Sequence, residues 1–118
     1  MKDSDAAALK EDGYLVLKEL DNGKSIAVTR MFASTALCLM TEDYNDKAVK
    51  RYWDGRERRF CYQHHVEAVL AGLLWDGTSD PKGDWVKEKS PGVERLNPRF
   101  NDPDFLGGDK SDGNDPPI

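Results

Sequence analysis

Residues 14–40 read YLVLKELDNGKSIAVTRMFASTALCLM, two runs of strand-forming residues about Asp21-Asn22-Gly23-Lys24, with a third run close behind. Asn22-Gly23 between alternating apolar runs is a strong hairpin signal, because both residues tolerate the positive φ of a type I′ turn. Tyr14 to Leu20 is therefore expected to pair antiparallel with Lys24 to Phe32. In the second run Ile26, Val28, Arg30 and Phe32 share one face, and Ala27, Thr29 and Met31 the other, which suits a sheet. The first run puts Val16 and Leu20 on one side and Leu15 and Leu17 on the other, so register must come from the turn.

Thr35 to Met40 is short, apolar and flanked by polar residues, and reads as a third, largely buried strand. Farther along, Arg58-Arg59-Phe60-Cys61-Tyr62 places a bulky ring at every second position and reads as a short fourth strand. A helix beginning at Glu57 is the competing reading. From His64 to Trp75, Val66, Val69, Leu70, Leu73 and Leu74 recur at helical spacing, the stripe of an amphipathic helix resting on a sheet. Gly77 is placed to end it in a left-handed conformation.

These elements predict an α+β domain, a small antiparallel sheet of three or four strands with one amphipathic helix packed on one face and disordered termini. Its expected span is 13–86, between a flexible N-terminus at 1–12 and a flexible acidic Gly/Pro/Asp-rich tail at 87–118. The N-terminal segment holds one helical turn through Ala6, Ala7, Ala8 and Leu9, too short to persist alone. From Asn97 onward the chain is rich in Asn, Asp, Gly and Pro, a composition that buries too little surface to offset ordering entropy. Trp85 interrupts a Gly/Pro-rich stretch and is expected to plug the edge of the sheet.

No motif fixes a function. No phosphate-binding glycine loop, nucleophile elbow or zinc-hydrolase signature occurs in the sequence, so a noncatalytic protein without a cofactor is expected. Cys38, Cys61, His64 and His65 match the ligand count of a zinc site but not its paired spacings, since the cysteines are far apart and the histidines adjacent. They read as two small buried cysteines on neighbouring strands and two residues of a helix's first turn. No apolar run approaches the roughly 20 residues that cross a bilayer, and no secretory pattern opens the sequence. A cytoplasmic location without membrane contact follows as the expectation.

Charge is segregated. Of 118 residues, 17 are Lys or Arg and 22 Asp or Glu, a net charge of -5, yet 47–59 holds six cations against Asp54 and Glu57, a local +4 that leaves -9 elsewhere. Lys50, Arg51, Tyr52, Trp53, Arg56, Arg58 and Arg59 thus form a basic and aromatic candidate contact. Such residues suit protein interfaces, and they also suit nucleic acid, where cations neutralise phosphates and rings stack on bases.

Ala36-Leu37-Cys38 in a short meander, Phe60-Cys61-Tyr62 leading into one helix ended by Trp75-Asp76-Gly77, and then Pro81, Gly83 and Trp85 together resemble small uncharacterised proteins encoded by bacteriophages and prophages. The resemblance covers residues 13–86 and implies an accessory product that binds or scaffolds. The expectation is a protein-interaction domain whose partner is another protein or a second copy, through the sheet edge or the Tyr52-Trp53 loop. The alternative is a weak nucleic-acid binder using the segment 47–60.

Overall fold

The computed structural model describes residues 3–45, 56–99 and 102–105. Helix α1 (Asp3–Glu11) precedes strands β1 (Tyr14–Glu19), β2 (Ser25–Arg30), β3 (Thr35–Met40) and β4 (Arg56–Tyr62). Helix α2 (His65–Leu74) and strands β5 (Lys87–Ser90) and β6 (Val93–Leu96) follow. Consecutive strands pair antiparallel in one open sheet ordered β1 to β6. The α+β class holds, while among the described residues the expected three or four strands become six and the single helix becomes two.

The first hairpin forms where Asn22-Gly23 places it, but through a different turn. Among the described residues only glycines have positive φ, and Gly23 stands at +87°. Gly23 N–H donates to Leu20 O at 3.0 Å, and Leu20 N–H donates to Lys24 O at 2.7 Å. A three-residue connection closed by a left-handed glycine thus replaces the expected type I′ turn. Val16 then opposes Ala27 and Leu15 opposes Val28, with a bulge at Leu17.

Two cores lie on opposite faces of the sheet. On one, Ile26, Val28, Leu37, Leu39, Phe60 and Tyr62 pack under α2 with Trp75 and Trp85. Phe60 meets both tryptophans edge-on, at centroid separations of 5.5 Å for Trp75 and 4.8 Å for Trp85. On the other, Ala27, Ala36, Cys38 and Met40 pack around Leu9 of α1. This contact is why a helix too short to persist alone forms across nine residues.

The fifth and sixth strands come from the stretch read as a flexible tail. A Pro91-Gly92 turn joins them, with Gly92 at φ +76° and Ser90 opposite Val93. Their charged sequences hide a buried anchor. Glu88, whose side chain is 3% exposed, accepts from Arg58 Nε at 3.1 Å and Arg95 Nε at 2.8 Å. Beyond them, Asn97 and Phe105 are also buried, whereas 106–118 lie outside the described residues. No helix among the described residues is long and apolar enough to cross a membrane.

Candidate functional site

The helix α2, HVEAVLAGLL, has one charged residue, Glu67. Its apolar residues have helical spacing, but the expected core stripe is turned the other way. The buried residues are Ala68, Ala71 and Gly72, with Val69 partly buried against the core. Val66, Leu70, Leu73 and Leu74 face outward, 67%, 57%, 48% and 73% exposed.

Close approach to the sheet explains the inversion. Phe60, Tyr62, Leu37 and Ile26 fill the space under the helix, so only small helix residues fit above them. At Gly72 an added Cβ would stand 2.8 Å from Leu37 Cδ1 and would also collide with Leu17 Cδ1. The stripe of small residues, Ala68, Ala71 and Gly72, is the signal that identifies the buried face, and size alone misled the sequence reading.

Polar contacts hold the helix in this rotation. Lys18 Nζ donates to Leu73 O at 2.9 Å, placing a cation at the negative end of the helix dipole. Glu67 Oε2 accepts the Asp84 N–H at 2.9 Å. Past the helix, Trp75 Nε1 donates to Ser79 O at 2.6 Å. Asp76 accepts the N–H groups of Thr78 and Ser79, and these bonds hold its carboxyl at about 2, below the usual 3.8.

Between α2 and Lys82-Gly83 lies a groove of about 580 Å³, lined in part by Val66, Leu70, Ala71 and Leu74. A solvent-facing helix surface is ordinarily polar. Here Val66, Leu70, Leu73 and Leu74 each leave about half or more of themselves in water, so covering them is worth about 1 kcal/mol apiece, roughly 4 kcal/mol for the patch. Association costs about 4–15 kcal/mol. The patch by itself therefore does not offset the cost of association.

The basic candidates divide. Lys50, Arg51, Tyr52 and Trp53 lie outside the described residues, and the other three lie within β4. Arg58 donates to Thr78 O, Ser79 O, Asp80 and Glu88, and its guanidinium lies 4.7 Å from the Phe60 ring centroid. Arg95 joins the same two carboxylates. Burial alone would raise the Asp80 and Glu88 carboxyls, but hydrogen bonds from Arg58 and Arg95, with Ser90 aiding Glu88, bring both below their ordinary values. Arg58 thereby ties the loop after α2 to the sheet.

Arg56 and Arg59 are buried on the opposite face, since Arg59 opposes Cys38 and Arg56 opposes Met40. Cys61 and Lys87 share that face as a cross-strand pair. The register separates the four residues of the zinc count. Both cysteines are buried on the α1 side, whereas His65 Nδ1 lies 3.2 Å from Thr35 Oγ1 on the α2 side. Burial pushes the Cys38 thiol up to about 12 and raises Cys61 as well, so both stay protonated thiols at neutral pH. Against known proteins, the chain matches no family model, no curated protein and no solved structure.

Proposed function

We propose that this chain is a noncatalytic interaction module that binds protein through the outer face of α2. The observation that carries the reading is the outward stripe Val66, Leu70, Leu73 and Leu74 on a helix with one charge. Contiguous exposed apolar surface of this kind marks interaction sites. An accessory role of the phage or prophage type, which the sequence resemblance implies, accords with such a module. Nucleic-acid binding through Arg56, Arg58 and Arg59 has less behind it, because Arg58 is held by Asp80 and Glu88 and the other two are buried.

A photo-reactive residue at Leu74, compared with one at exposed Glu94 on β6, tests the reading in cells that make the protein. Protein adducts should form from position 74 and fall sharply when Leu70→Lys is added. Equal adducts from both positions contradict the reading. Salt-sensitive binding to short single-stranded or duplex oligonucleotides, unaffected by Leu70→Lys, would favour the nucleic-acid alternative.

A further inference from the structure

We infer that residues 87–96 form a flap, hinged at Val86 and Asn97 and latched to β4 through Glu88, that lifts from the sheet while the other strands stay folded. Local opening of this kind belongs to elements with few buried apolar contacts. Strands β5 and β6 read KEKS and VERL, and their two aliphatic residues, Val93 and Leu96, are exposed. Glu88 is the one buried residue of the segment. Backbone pairing is equally thin. Strand β4 meets β5 at two residue pairs, Phe60 with Glu88 and Cys61 with Lys87, where β2 and β3 share six. One position farther on, Arg59 N–H donates to a side chain, Ser90 Oγ, at 3.0 Å.

The base of the hairpin is fixed by other bonds. Val86 N–H donates to Cys61 O at 2.7 Å, and Asn97 N–H donates to Val86 O at 3.1 Å. Asn97 Nδ2 donates to Trp85 O at 2.8 Å, and Trp85, Val86 and Asn97 are all buried. The segment beyond them is held by charge. Arg58 from β4 and Arg95 from β6 meet Glu88, Ser90 Oγ donates to it at 2.6 Å, and both arginines also meet Asp80 of the loop after α2. Lys87 and Lys89 alternate to the other face, where Lys89 lies opposite Glu94. A two-stranded hairpin has little stability of its own, so without the Glu88 charge little holds it to β4. Burial would raise the Glu88 and Asp80 carboxyls, yet hydrogen bonds from the two arginines bring both below their ordinary values. The latch is therefore closed above about 4.5 and releases as pH falls further. Lifting uncovers the β4 edge at Phe60 and Cys61, backbone that another strand can pair with.

Amide hydrogen exchange on the full chain, read by nuclear magnetic resonance at neutral pH, tests the flap. The hydrogen-bonded amides of 87–96 should exchange as a group, at least about ten-fold faster than those of β2 and β3. Low urea should leave their rates unchanged, because local opening exposes little surface. Glu88→Gln should speed their exchange by a further factor of about ten or more. Asp80→Asn, at a more exposed carboxylate, should speed it less and provides a second variant that keeps Glu88. On acidification below about 4.5 the resonances of 87–96 should reach unfolded positions before those of β2 and β3. Equal protection of 87–96 and of β2 and β3, with the same urea dependence, overturns the inference. Unchanged exchange in both variants, or loss of all strands at one pH, overturns it as well.

Discussion

The two helices cover opposite faces of one sheet and do so by opposite means. Helix α1 buries Leu9 and Asp5 and leaves its remaining residues partly or fully in water, so its one large apolar side chain is used up within the chain. Helix α2 buries two alanines and a glycine and turns its larger aliphatic residues outward. Both are anchored, but only α2 leaves large apolar residues exposed. The contrast shows that helical spacing of large apolar residues marks a helix without saying which side meets the core. A short polar helix can bury its large apolar residue, and a hydrophobic helix can leave its own in water.

The sharpest way to break this comparison is Leu9→Ala. It leaves a cavity among Ala27, Cys38 and Met40 and should destabilise by about 3 kcal/mol in urea unfolding. A loss near zero would mean that α1 does not seal its face.

Replacing Glu88 by Gln removes the buried carboxylate between Arg58 and Arg95 and leaves them only the more exposed Asp80, with an expected loss of about 2 kcal/mol. The loss should appear with either helix variant as background, separating the sheet's own anchor from its covers. The same carboxylates set an acid limit. Their folded values lie below the ordinary ones, so their stabilisation is complete above about 4.5 and declines as pH falls further. A thermal-melting series should show this decline, and Glu88→Gln should flatten part of it.

Gly72→Ala tests the inner face of α2. Overpacking against Leu17 and Leu37 costs about 2 kcal/mol, of which better helix propensity offsets about 1. A net loss of about 1 kcal/mol is expected, where an open face would show a gain. The smallest effect belongs to Leu74→Gln, which should change the stability of the dilute chain by less than about 0.5 kcal/mol.

Much of the sheet is legible from residues alone. Thr35–Met40 is a strand to the residue, Asn22-Gly23 turns the first hairpin, and Trp85 packs into the core. The hidden parts share a physical cause. Strands β5 and β6 are held by a buried Glu88 between two arginines and by a Pro-Gly turn, so period-two hydrophobicity is weak there. Helix α1 depends on docking Leu9, which local propensity does not report. The rotation of α2 follows from the height of Phe60, Tyr62 and Leu37 beneath it, a property of the assembled sheet. Arg58 read as part of a candidate contact because its carboxylates, Asp80 and Glu88, are distant in sequence and near only after β5 pairs with β4.

Solvent exposure of the Leu and Val methyl groups, read by nuclear magnetic resonance with a soluble paramagnetic probe, tests the account most directly. In dilute solution the methyls of Val66, Leu70, Leu73 and Leu74 should broaden while those of Val28, Leu37 and Leu39 do not. Protection of the outer four in dilute solution would show that the chain covers them itself and would contradict the account.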